Sequence, residues 1–327
     1  MKIRMRCQTT KPMKDDLYKS FLFFANFFFF ECFFFYHTKT NKLKDRVLKA
    51  EVHKRIACNI VNHLKCYCES DEQLTLYGDI SIQKAVYLFL HHILYYQSYK
   101  NMEERFNVPH SNMKQIFGTI SNRLVLWSNG IIIPGTRKDR LDEAKAIIKD
   151  DEFKSCTLLI DGSDFPLQKQ DNLRSKSEWH SYKLKRHGLR YQVIISNSGK
   201  VRYVSRSFHP KLHDAHCVID QKKELKELFN AGEKILADNH YSSLNRQYRR
   251  YTWVVPNRKT RSRQLSEEEE KYNKVQRRNR NKIELLFGKV KNRFHFIKMQ
   301  IPFRGSISSH ERYVTISFAL HCYIQKC

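Results

Sequence analysis

The chain has 327 residues, with 60 Lys and Arg against 33 Asp and Glu, a formal charge of +27. Hydrophobic residues at 41%, with 10 Gly and 7 Pro, exclude a collagen-like or wholly disordered polymer, and the length suits two domains with a proper core. So large a positive excess favours a polyanionic partner, because each neutralised phosphate releases condensed counterions. Nine cysteines, odd in number and without a CxxC pair, argue against a disulfide-stapled secreted scaffold and for a reducing compartment. Cys58, His63, Cys66 and Cys68 cluster locally, but Cys66-Tyr67-Cys68 is too tight for the usual zinc knuckle.

Residues 1–41 form an irregular segment in which 21–36, FLFFANFFFFECFFFY, hold ten of the 22 phenylalanines. Asn26 and Glu31 interrupt the run, which falls short of the roughly 20 apolar residues that span a bilayer. No small-residue cleavage pattern follows it. Three readings stay open: translated thymine-rich sequence or a disordered tail, an interfacial packing segment, and a membrane anchor. A membrane is not among the expected partners.

Residues 42–150 have a helical pattern, broken near Gly78-Asp79 and at Gly130–Gly135. Ser81 is placed to cap a helix carrying Val86, Leu90, Ile93 and Leu94. Within 99–127 a short helix ending near Phe106 meets Asn107-Val108-Pro109, and Ser111 is the expected cap of a second helix. Met113, Ile116, Phe117, Ile120 and Leu124 supply its apolar stripe, leaving Asn112, Lys114, Gln115, Thr119 and Asn122 outward. Two short helices on a tight turn fit a helix-turn-helix, and equally an αα-hairpin with a polar face. The basic composition favours DNA.

After Asp150-Asp151 the periodicity changes. Residues 156–167 read as a buried strand with its turn, and 190–196 with 200–208 as a hairpin about Asn197-Ser198-Gly199. A helix over 217–230, strands at 233–241 and 251–257, the acidic run Glu267–Glu270 and a helix through 281–294 follow. The expected fold class is α/β, a mixed sheet flanked by helices, in 151–327, behind the all-α region.

Three carboxylates stand apart. Asp161 and Asp238 are expected at the exits of apolar strands, and Glu284 on the last helix beside the stripe Ile283, Leu286, Phe287, Val290, Phe294. A charged carboxylate at a buried strand end needs a counter-charge. Magnesium supplies one through oxygen ligands, and two such ions about 3.5–4 Å apart clamp both oxygens of an in-line phosphoryl displacement. Arg277, Arg280 and Lys291 project broadly the same way as Glu284.

The segments IDGSDFP, SYKLKRHGLRYQVIISNSGKVRYVS, ILADNHY and IELLFGKVKNRF, in that order, resemble the catalytic domain of Harbinger-type DDE transposases and their bacterial insertion-sequence relatives, over about 156–324. The helix-turn-helix upstream matches that family's domain order. The resemblance implies an RNase H-like fold in which Asp161, Asp238 and Glu284 hold two divalent ions, Mg²⁺ or Mn²⁺. Asp164 is the fallback first acid, expected in the turn. Asp214 and His213, in HPKLHDAH, resemble the family's His-Asp pair and read as structural or site-supporting.

The chain departs from the family at Asn239-His240-Tyr241, where Lys-Gly-Tyr is common, at Pro210-Lys211, where Pro-Gly is usual, and at Asn281, where an arginine is frequent and Arg280 is the substitute. The implied function is a metal-dependent transposase or endonuclease acting on DNA element ends and target. The alternative is an inactive, domesticated DNA-binding or adaptor protein. Arg246, Arg249, Arg250, Arg258, Lys259, Arg261, Arg263, Arg277, Arg278, Arg280 and Lys291 are candidates for phosphate contact. The expected compartment is the nucleus in a eukaryote, with RRNRNK as an import signal, and otherwise the cytoplasm. An accessory DNA-binding protein and a homo-oligomer stay open as partners.

Overall fold

A computed structural model describes residues 58–67, 80–167, 177–260, 262–299 and 306–325. The phenylalanine-rich segment, Cys68, Gly78-Asp79 and Arg261 lie outside them. The chain divides into two compact units, Met1–Cys66 and Tyr67–Cys327. Of the first, only a helical stretch from residue 58 is described. The second contains both the helices that precede residue 150 and a mixed sheet.

Helix α1 (Ile82–Tyr95) begins at Ser81, whose hydroxyl accepts the Lys84 amide at 3.2 Å. Helix α2 (Tyr99–Phe106) stops where Asn107 turns left-handed, at φ 50°. Helix α3 (His110–Ile131) then starts from Pro109 and not from Ser111 as expected. Proline holds φ near the helical value and brings no N–H, so it suits a helix start without a side-chain cap. All five stripe residues of α3 are buried. Helix α4 (Arg137–Ile147) carries a full capping box between Thr136 and Asp139.

Six strands follow: β1 (Cys156–Pro166), β2 (His180–Ser181), β3 (Arg186–Ser196), β4 (Val201–Val204), β5 (Lys234–Leu236) and β6 (Thr252–Val254). β1 pairs antiparallel with β3 and parallel with β5, and β5 pairs parallel with β6. β2 and β4 both pair antiparallel with β3. With helices on it, this is the mixed α/β, RNase H-like sheet expected from the sequence. Several expected boundaries moved. The helix expected over 217–230 is two helices, α5 (Asp214–Asp220) and α6 (Lys222–Leu228), parted at Gln221. Asp161 and Asp164 both lie inside β1, which runs on through Pro166, so neither sits at an exit or in a turn.

A short α7 (Leu244–Gln247) precedes β6. Helix α8 spans Glu267–Arg293, longer than expected, because the acidic run Glu267–Glu270 is its first turn. Ser266 and Glu269 cap each other there, and negative charge at a helix N-terminus is favourable. A short α9 (His295–Lys298) and α10 (Ile307–Ile324) complete the described chain. Among the described residues no helix is long and apolar enough to cross a membrane.

Alternation along β1 sorts its two faces. Ile160 faces a core of Val218, Leu225, Tyr241 and Trp253 under α5 and α6. Ser163 and Phe165 face the other way, meeting Lys291 of α8 and Phe318 of α10. Asp161 shares that second face.

One buried ion pair ties the early helices to the sheet. Arg140 of α4 donates through Nε to Glu233 at 3.0 Å, and neither side chain is exposed. Its Nη2 donates to the other Glu233 oxygen and its Nη1 to the Pro134 and Gly135 carbonyls, while Thr157 of β1 and the Asn230 amide donate to the same carboxylate. Arg140→Met leaves Glu233 charged and buried without its partner, a loss of about 3–5 kcal/mol. Urea unfolding of the full chain measures it; a loss under about 1 kcal/mol contradicts the assigned role.

Candidate active site

Three acids meet around one guanidinium. Asp161 is placed by the middle of β1, Asp238 by the exit of β5 and Glu284 by α8. Arg280, one helical turn before Glu284, donates to Glu284 Oε1 at 2.7 Å. Its other terminal nitrogen stands 3.6 Å from Asp161 Oδ2 and 4.0 Å from Asp238 Oδ2. The two aspartate oxygens are therefore separated by no more than those two distances combined.

Each acid also has local support. The Gly162 amide donates to Asp161 Oδ1 at 2.8 Å, and the Asn239 amide to Asp238 Oδ1. Asp238 caps the single turn Asn239–Tyr241, so Asn239-His240-Tyr241 forms a 3₁₀ turn without any residue in the left-handed region. Burial lifts the Asp161 carboxyl to about 6, opposed by Arg280, the Gly162 amide and Lys183. Asp161 and Arg280 are 16% and 13% exposed, whereas Asp238 and Glu284 open to solvent at 38% and 49%.

Asp214 lies on the opposite face of the sheet. A Cβ on Gly162 would stand 2.4 Å from Asp214 Oδ1, so this close approach depends on a glycine beside Asp161. Asp214 accepts from Gln192 Nε2 at 2.9 Å, and Tyr241 donates to Gln192 Oε1. Arg190 stands 3.4 Å from Asp214 and bonds both oxygens of Asp164, which also accepts from Ser181. This buried network joins β1, β3, α5 and the turn after Asp238. Asp164 belongs to it and not to the acid trio. His213 precedes α5 without a side-chain cap bond, its ring 6.1 Å from His216.

The basic residues separate into groups. Lys291 is half-buried on the acid-trio face, donating to Ser163 Oγ and the Asp164 carbonyl at 2.8 Å each, and partial burial brings its amine down to about 8. Arg250 donates to the Lys226 and Phe229 carbonyls at the end of α6. Arg278 pairs with Asp150, and Arg263 with Glu269. Arg246, Arg249, Arg258, Lys259, Arg277, Lys114 and Gln115 are exposed, and Asn112 is half-buried.

Carboxylate oxygens are the donors that Mg²⁺ and Mn²⁺ prefer. Among the described residues no three His, Cys, Asp or Glu side chains stand close enough to cage an ion as they are, and in the acid trio Arg280 lies between them. Three carboxylates facing one guanidinium are a donor set that fits divalent cations.

Residues 160–322 match the family model described as DDE superfamily endonuclease. No curated protein and no solved structure matches the chain. The matched span includes all three acids and the whole Asp164–Arg190–Asp214 network.

Arg280→Gln removes the cation that opposes burial at Asp161, so the carboxyl titrates above its present value of about 6. A folded pKa above the unfolded value of about 3.9 means the native state holds the extra proton between them. The metal-free protein therefore loses stability as pH rises through that window, and the variant extends the loss to higher pH. Carbon-13 NMR of the labelled aspartates reads the shift; an unchanged Asp161 titration contradicts the role given to Arg280.

Proposed function

We propose that the protein, whose residues 160–322 match the DDE superfamily endonuclease family model, is a DNA transposase that cuts a strand and joins its freed end to a target. The convergence of Asp161, Asp238 and Glu284 on one guanidinium carries this reading. The order and spacing of the four sequence segments resembling Harbinger-type transposases support it.

The three carboxylates would hold two divalent ions, with Asp161 and Asp238 shared and Glu284 completing one site. Bound there, the ions supply Lewis acidity and an activated water for phosphodiester displacement. The chain's own part is placement. β1 and β5, hydrogen-bonded in register, fix the two aspartates, and α8 brings Glu284 against them. The half-buried Lys291 ties α8 to β1 beside Asp161 and so sets the reach of Glu284. Fixed charges of this kind act without reorganising during the reaction, which is how they lower the barrier.

DNA is the substrate that suits the charge of +27. Arg277, Arg258, Lys259 and Arg249 are exposed for the phosphate backbone, and the polar face of α3 with Lys114 and Gln115 is offered to element ends. In a eukaryote the protein would act in the nucleus.

Full-length protein with labelled duplex DNA and Mg²⁺ or Mn²⁺ tests the proposal. Strand cleavage is expected, lowered about a thousandfold or more in Asp238→Ala with thermal unfolding retained. Cleavage that survives the substitution contradicts the assigned site. DNA bound with no cleavage in either metal contradicts the enzyme and favours an adaptor.

A further inference from the structure

The hairpin between β2 and β3 has a surface that the acid trio does not use. Ser181 pairs with Arg186 across it, leaving Tyr182, Lys183, Leu184 and Lys185 as the tip. Tyr182 is 77% exposed, the most exposed of the large hydrophobic residues described. Its ring lies edge-on to His180 at 5.5 Å, and next along the hairpin Trp179 sits on His209 at 4.2 Å. Lys183 and Lys185, one and three residues further on, are also exposed.

The tip is held. Ser181 Oγ donates to the buried Asp164 at 2.6 Å and accepts the Leu184 amide at 3.1 Å. Leu184 folds over Gly188, where a Cβ would meet its Cδ1 at 2.9 Å. Lys185 takes the left-handed backbone at φ 53°, a conformation that L-residues adopt rarely and that a defined turn must enforce. The root of the hairpin is thus tied to β1 three residues beyond Asp161.

A water-exposed aromatic ring followed by two exposed lysines, on a turn tied to the strand that carries Asp161, has the chemistry of a stacking platform. Each base offers a flat face to the ring, and the lysines meet the adjoining phosphates. Among the described residues of the hairpin an apolar protein partner would find one exposed ring beside two cations, whereas a polyanion with aromatic bases complements both features.

We propose that the β2–β3 hairpin binds unpaired nucleobases at the strand end presented to the acid trio, with Tyr182 stacking on a base and Lys183 and Lys185 holding the phosphates beside it. The inference rests on the reading of the domain as DNA-cutting. It adds that the preferred substrate is frayed or single-stranded at its end.

The test uses the full chain, without divalent metal, and a duplex ending in a short unpaired tail that carries 2-aminopurine. The fully paired duplex is the control. Wild type is expected to bind the tailed DNA more tightly and to quench the fluorophore by stacking. Tyr182→Ala is expected to lose about tenfold in affinity for the tailed DNA and to lose the quench, while Tyr182→Phe keeps both. At 77% exposure the ring contributes little to the core, and unchanged thermal unfolding checks that. Equal binding of both duplexes, or a quench that persists in Tyr182→Ala, overturns the inference. In that case metal-dependent cleavage that still requires Asp238 leaves the endonuclease reading standing. Tail binding lost in Tyr182→Ala, in a protein that never cleaves, supports the surface and overturns the catalyst.

Discussion

Three carboxylates from a strand centre, a strand exit and a helix repel one another, and a fold that brings them together needs a cation among them. Arg280 is that cation, within 4.0 Å of an oxygen on each. Because it sits on α8 one turn from Glu284, packing α8 on the sheet delivers the acid and its counter-charge at once. Under the proposed function, divalent ions would take over the role that the guanidinium plays among the carboxylates.

The faces of β1 explain how one strand serves both the site and its support. Asp161, Ser163 and Phe165 point toward α8, while Ile160, Gly162 and Asp164 point toward α5. Charge is therefore kept on two levels. On one, Asp161 meets Arg280. On the other, Asp164 and Asp214 share Arg190, and Gln192 joins Asp214 to Tyr241 in the turn that follows Asp238. Gly162 keeps the two levels close, because a side chain there would push Asp214 away.

Much of this was legible in the chain, and what was missed has physical causes. The apolar runs before Asp161 and Asp238 show where parallel strands are buried, and the spacing of Arg280, Glu284 and Lys291 places them on one side of a helix. Gly162-Ser163-Asp164 suggests a turn, yet the strand continues because β3 pairs with it and Arg190 donates to the buried aspartate. The acidic run Glu267–Glu270 suggests a solvated stretch, although Ser266 and Glu269 spell a capping box that marks a helix start. Arg280 was legible as a cation facing the acids, but not as their shared partner. That role depends on contacts across residues 161, 238 and 284, which no local pattern encodes. The Arg140–Glu233 pair is hidden for the same reason.

Diffraction from crystals soaked in Mn²⁺ addresses the central point most directly, because anomalous scattering locates the ion without assumptions about activity. We expect a pair of peaks about 3.5–4 Å apart among the carboxylates of Asp161, Asp238 and Glu284, with the Arg280 side chain withdrawn. No anomalous peak at the carboxylates, with the guanidinium still bridging all three, would contradict the account.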